Sequence, residues 1–193
     1  MAENVEKKHI ITLAGMPASG KSTTAKLIAH ELGFKHYSTG DLFREIAASQ
    51  QMNVLDANLN AERNADIDFQ VDERQRKLGK TEDNFVIDAR LGWHFIPESF
   101  KVYLSLDTKI GAQRILADMD EERRLREQVP ENSDEYAALL NERLASESRR
   151  YRSLYNIDNH DEANFDLVID TSTLPPDQIK DRVIEAYKQW LSN

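Results

Sequence analysis

The chain has 193 residues, a formal net charge of −9, 31% charged residues and no cysteine. That length suits one domain whose core needs no crosslink, and the missing cysteine excludes a disulfide framework and a thiolate metal site. The acidic balance argues against non-specific nucleic-acid binding, which needs a broad basic surface, and no apolar run approaches the ~20 residues of a membrane span.

Met1–Lys8 is polar and lacks the apolar segment of a secretory signal, so a cytoplasmic location is expected. His9–Ala14 reads as a short apolar strand. Gly15-Met16-Pro17-Ala18-Ser19-Gly20-Lys21-Ser22 then spells G-x-x-x-x-G-K-S, and Ser22–Leu32 reads as a helix stopped by Gly33. Strand, glycine loop and helix are the arrangement in which amide N–H groups and the positive end of a helix cradle a polyphosphate. Residues Gly15 to Thr23 are therefore the candidate phosphate-binding segment. Lys21 brings a mobile positive charge to the outer phosphates, and the Ser22 hydroxyl suits a magnesium ion that bridges them.

A second strand is expected at Phe34–Tyr37 and a helix at Asp41–Gln50. Between them, Ser38 or Thr39 is placed to cap the helix, and Gly40 allows a close backbone approach. Arg44 reads either as a surface arginine or as a bidentate phosphate ligand. Gln51–Asn64 is polar with poor periodicity, and Ala65–Lys77 is helical in pattern. Phe85–Asp88 is a buried strand ending in an acid, followed by Ala89 and Arg90. Ligands of open parallel sheets bind beyond such strand ends. There Asp88 suits magnesium and Arg90 a phosphate, although the two also read as a plain surface ion pair.

Further strands are expected at Lys101–Leu106 and Phe165–Asp170. Helices are expected at Thr108–Met119, Ser133–Tyr155 with Ser133 as its N-cap candidate, and Pro176–Leu191 behind the Pro175-Pro176 start signal. Asp118–Asn132 is densely charged. It reads either as a solvated helix face joined to a surface loop or as a lid whose arginines close over phosphates. Arg143, Glu147 and Arg150 share one face of the long helix, where they make either ordinary surface pairing or an anion fork aimed by the carboxylate. The five histidines show no ligand spacing, and Trp93 and Trp190 read as core anchors, with Trp93 also near a possible base pocket. Short apolar runs alternating with helices predict an α/β fold with a parallel sheet covered on both faces.

Together these motifs resemble the nucleoside monophosphate kinases. Gly15–Ser22 with Ser38-Thr39-Gly40-Asp41-Leu42-Phe43-Arg44 is similar to adenylate and cytidylate kinases alike. Asp88-Ala89-Arg90-Leu91-Gly92-Trp93, the run Arg143–Asp158 and Phe165–Ser172 resemble the short, archaeal-type cytidylate kinases, and Ala65–Gln75 resembles their second substrate-side helix. The resemblance runs from about His9 to Trp190. It implies a three-layer P-loop NTPase fold with a five-stranded parallel sheet, a monophosphate-binding region near 38–80 and a lid near 119–135. It also implies transfer of the γ-phosphoryl group of ATP, with Mg²⁺, to CMP or dCMP by a monomer.

Carried over by position, Gly15, Ser19, Gly20, Lys21 and Ser22 hold the donor's phosphates and magnesium. Ser38, Gly40, Asp41, Arg44, Arg90, Arg143, Glu147 and Arg150 serve the acceptor, and Arg123 and Arg126 are the lid candidates. Ala89 stands where the branch has glycine, and Asp88 where it often has glutamate. Two other readings remain at this stage. One is a kinase of an alcohol acceptor such as a sugar or shikimate-like acid, with Asp41 as its base; the other is a non-catalytic nucleotide-binding module.

Overall fold

The computed structural model describes residues 7–51, 66–126 and 129–192. Its strands are β1 (Ile10–Gly15), β2 (Lys35–Ser38), β3 (Phe85–Asp88), β4 (Phe100–Ser105) and β5 (Leu167–Asp170), joined as one five-stranded sheet in the order β2-β3-β1-β4-β5. All the pairings are parallel. The chain leaves β1 to both sides of it, so a crevice opens at the carboxyl ends of the central strands, where Gly15, Asp88 and Ser105 end their runs.

The helices are α1 (Lys21–Leu32), α2 (Thr39–Ser49), α3 (Asp66–Thr81), the single turn α4 (Gly92–Phe95), α5 (Thr108–Ala117), α6 (Glu121–Arg126), α7 (Ser133–Tyr155) and α8 (Pro176–Ser192). Alternation along β1 divides the core. Ile11 and Leu13 face α1 and α8, where Ile28, Val183 and Tyr187 pack on them. Ile10 faces the other way, onto Leu42 of α2 and Val71 and Leu78 of α3. Each such fully buried aliphatic side chain contributes about 1.5–3 kcal/mol. The result is the three-layer α/β arrangement expected of a parallel sheet with helices on both faces.

Most expected elements are present with small shifts. Three strands slide by a residue or more: β1 and β2 start one residue later than expected, β4 one residue earlier. β5 loses Phe165 and Asp166, because Glu162–Asn164 forms a 3-10 turn capped by Asp161 and Phe165 leaves the sheet to pack on Trp93 and Tyr103. α3 runs one turn past Lys77; Ala65 and positions 52–64 lie outside the described residues. Periodicity did not reveal α4 or α6, each too short to show it.

Two capping expectations change. Thr39 does not cap α2 but opens it, and its hydroxyl donates to the Asp88 carbonyl (3.4 Å). For α7 the cap is Asn132, not Ser133: the Asn132 side chain accepts from the amides of Asp134 (2.8 Å) and Glu135 (3.2 Å). Asparagine reaches the first orphan amides from an extended residue, while Ser133 is already helical. Asn132→Ala should therefore lower unfolding stability by about 1 kcal/mol, and Ser133→Ala should stay within about 0.5 kcal/mol of the parent. Urea titrations of both variants check this; the reverse order would place the cap at Ser133.

Candidate functional site

The loop between β1 and α1 is built by three left-handed residues: Gly15 at φ 139°, Ala18 at φ 59° and Gly20 at φ 84°. At Gly15 only glycine fits, because a Cβ would stand 2.2 Å from the Leu104 carbonyl oxygen. The next amide, Met16 N–H, donates to that same carbonyl (3.0 Å), which fastens the loop to β4. Beyond it the backbone curls, with Ser19 N–H on the Met16 carbonyl (3.2 Å). Gly20 opens α1 with no side-chain cap. Uncapped N-terminal amides, a curled backbone and the helix dipole together make an anion site.

Lys21 folds back over this loop, and its Nζ donates to the carbonyls of Gly15 (2.8 Å) and Met16 (2.9 Å). Burial, reinforced by the Arg90 charge, pulls its pKa from 10.5 to about 8, against the opposing pull of Asp88 and Glu147. Arg114 of α5 holds the loop from behind. It donates to the Ala18 carbonyl (3.3 Å) and to the carbonyls of Thr171 (2.9 Å) and Ser172 (3.0 Å) just past β5. Nothing in the spacing of the chain singles this arginine out; only the fold brings these carbonyls to one guanidinium.

From the loop a cavity of about 870 Å³ extends between α2, α3 and α7. Lys21, Ser22, Asp88 and Arg90 line its sheet end. Ser38 and Gly40 line it from the start of α2, and Arg143, Glu147 and Arg150 from α7. Most of the residues expected to serve a site are thus brought together. Asp41 is exposed on α2 and is not among the lining residues. The side chains of Arg44, Arg123 and Arg126 lie outside the described residues. Thr23 is exposed on α1. Trp93 is a core residue against Ala14 and Tyr103.

Two buried acids organise the sheet end. Asp88, 7% exposed, has an Oδ2 with no hydrogen-bond partner among the described residues, and His36 Nε2 stands 3.9 Å from it. Burial lowers the pKa of that histidine, with Asp88 opposing, so the ring stands neutral near pH 7 and adds no charge beside the carboxylate. A buried carboxylate oxygen without a hydrogen bond and the Ser22 hydroxyl, lining one cavity, are donors of the kind that fit a hard divalent cation. Glu147, also 7% exposed, pairs with Arg90, whose Nε stands 3.0 Å from Oε1. The helix-face reading expected Glu147 to aim Arg143 and Arg150; the structure pairs it with Arg90, from beyond the end of β3. Both acids draw cations into a protein that is acidic as a whole.

Part of the cavity wall comes from residues without an individual role in the sequence reading. Asp72 and Gln75 line it from α3, whose Ala65–Gln75 stretch resembles a substrate-side helix, and Tyr151 and Tyr155 line it from the end of α7. The spacing of Asp72 and Gln75, three apart on one helix, was the available signal; what they face depends on α7.

The depressed Lys21 pKa has a direct consequence. Below about pH 8 the free protein carries the charge, and above it the charge is lost. An anion on the loop favours the charged form, so affinity for a triphosphate should be flat below pH 8 and fall as the pH rises beyond it. Calorimetry of ATP binding from pH 6.5 to 9.5 checks this, and Lys21→Met should remove the pH dependence. Affinity that holds to pH 9.5 would contradict it.

Comparison with known proteins places this geometry in a family. The family model for the AAA domain matches residues 14–137. A cytidylate kinase of Sulfurisphaera tokodaii is 35% identical over 184 residues, covering 94% of this chain and 96% of the relative. A cytidylate kinase of Methanocaldococcus jannaschii is 37% identical over 170 residues, covering 84% of this chain and 88% of the relative. Among solved structures, a shikimate kinase of Bacteroides thetaiotaomicron superposes with TM-score 0.62 at 15% identity, covering 95% of this chain and 98% of that one, a likeness of fold alone. The sheet order, the phosphate loop and this sequence similarity over nearly the whole chain agree: the protein is a P-loop protein of the cytidylate kinase family.

Proposed function

We propose that the protein transfers the γ-phosphoryl group of ATP to a nucleoside monophosphate, CMP or dCMP before others. The observation that carries this reading is one continuous cavity lined by cations from separate parts of the chain. Lys21, at the phosphate loop, lines it together with Arg90 from beyond β3 and with Arg143 and Arg150 of α7. A donor polyphosphate and an acceptor phosphate both need positive charge, and in-line transfer needs them side by side. The relatives' names point to the same acceptor.

In this reading the loop amides from Gly15 to Ser22 and Lys21 bind the donor's phosphates. Ser22 and Asp88 hold Mg²⁺, which when bound neutralises charge on those phosphates. Arg90, held by Glu147, and Arg143 and Arg150 hold the acceptor phosphate and stabilise charge as it spreads over the moving group. A phosphate acceptor is already anionic, so the site needs no general base. Ser38, Gly40, Asp41 and Arg44 belong to the acceptor side, within a region near 38–80 whose helices α2 and α3 form the far wall. The segment near 119–135, with Arg123 and Arg126, is read as the lid. It joins α5, tied to the phosphate loop through Arg114, to α7, which bears the acceptor arginines. The monomer that the resemblance implies is kept as the working unit. No helix among the described residues is long and apolar enough to cross a membrane, in keeping with a cytoplasmic substrate pool.

An alcohol-directed kinase is less favoured, because it needs a base at the acceptor hydroxyl and Asp41 lies exposed outside the cavity lining. A purely binding module would not need the Lys21, Ser22 and Asp88 set around one phosphate position.

A coupled ADP-release assay with magnesium-ATP against a panel of monophosphates tests the proposal, with CMP and dCMP expected to lead. Lys21→Ala should lower kcat at least ~100-fold, whereas turnover within a few-fold of the parent would remove Lys21 from the mechanism. Arg143→Ala and Arg150→Ala should raise the KM for the acceptor more than that for ATP; the opposite pattern would exchange the two halves of the cavity.

A further inference from the structure

The α3 wall of the cavity carries a feature that phosphate chemistry does not use. Asp72 and Gln75, one turn apart on α3, line it and are only 8% and 2% exposed. Gln75 Nε2 donates to Asp72 Oδ1 (3.2 Å), and the Tyr155 hydroxyl at the end of α7 donates to Asp72 Oδ2. An ionised carboxylate only accepts hydrogen bonds, so it dictates how the glutamine amide sits: NH₂ towards Asp72, carbonyl away. That carbonyl oxygen, Gln75 Oε1, is buried and has no hydrogen-bond partner among the described residues. The group therefore presents acceptors, one of them an orphan held in a fixed direction by two helices.

The surroundings suit a flat ring. Phe43 of α2, Val71 of α3 and Leu154 of α7 line the same cavity with apolar surface. A planar heterocycle between such walls gains burial, while its polar edge must meet whatever the wall offers.

We infer that Asp72 and Gln75 read the base of the acceptor, with Tyr155 positioning Asp72, and that they select a base bearing an exocyclic amino group over its oxo counterpart. The inference rests on the monophosphate-kinase reading above. The amino group of cytosine is a pure donor with two N–H bonds, which matches a wall of acceptors. Uracil differs there by an oxygen whose lone pairs would face the acceptor wall. Buried polar groups left unpaired or opposed discriminate far more strongly than a change of size does. Replacing the Asp72 carboxylate by an amide of the same shape turns one acceptor into a donor and removes the basis of that rejection.

The test is steady-state kinetics with CMP, dCMP and UMP at saturating magnesium-ATP, on the full chain. The parent should prefer CMP to UMP by a kcat/KM ratio on the order of 100 or more. Asp72→Asn should shrink that ratio at least about 10-fold, mainly through the KM values of the two acceptors, with the KM for ATP unchanged. Gln75→Leu should lower kcat/KM for CMP more than for UMP. Tyr155→Phe keeps the carboxylate and loses one donor to it; it should shift the ratio in the same direction by a smaller factor, and it serves if Asp72→Asn does not fold. If the parent uses CMP and all three variants keep its CMP-to-UMP ratio within two-fold, this inference is overturned and the kinase reading stands. If the parent transfers phosphate to no monophosphate, both fall.

Discussion

The approach of Gly15 to the Leu104 carbonyl is the contact on which the site depends. Two neighbouring central strands end together, and the first must turn sharply away without a side chain in between. The turn aims the amides and the start of α1 into the crevice, fixes Lys21 over it and leaves room for Arg114 to bind the loop from behind. Every other group in the cavity is placed relative to that turn by the sheet. Asp88 is level with Leu13 in the β1–β3 ladder, and Arg90 follows it by two residues.

Charge is the second organising problem. A chain with net charge −9 must bind polyanions. It does so by converging cations from separate parts of the chain and by burying two acids among them. Those acids have different surroundings. Glu147 is paired with Arg90, whereas Asp88 keeps an oxygen without a hydrogen bond beside a histidine whose charge burial suppresses. The first holds a cation of the protein in place. The low pKa of Lys21 belongs to the same balance: its charge is costly until an anion arrives.

What could be read from the chain follows how local each feature is. The phosphate loop was legible because strand, glycines, lysine and helix are contiguous, and Asp88 and Arg90 were legible because they end an apolar strand. The long α7 helix was legible to the residue at both ends. Its cap was not: Asn132 and Ser133 are both good cap residues, and the choice depends on which one stays extended. The pairing of Glu147 with Arg90 was not readable from helix spacing, which shows which residues share a face, never what stands opposite. The contacts of Arg114 and of the Asp72–Gln75–Tyr155 group were hidden for the same reason, since their hydrogen bonds join elements far apart in the chain. The short helix α4 escaped because a single turn leaves no periodic trace.

A phosphoryl transfer in this cavity requires that it hold two phosphate-bearing ligands in line. A bisubstrate compound, adenosine and cytidine joined through a chain of phosphates, tests this in a single inhibition experiment. Competition against both magnesium-ATP and the acceptor is expected, with binding tighter than either nucleotide alone. Competition against ATP alone, with acceptor binding undisturbed, would show that the arginine-lined half of the cavity does not receive a phosphate in line with the loop.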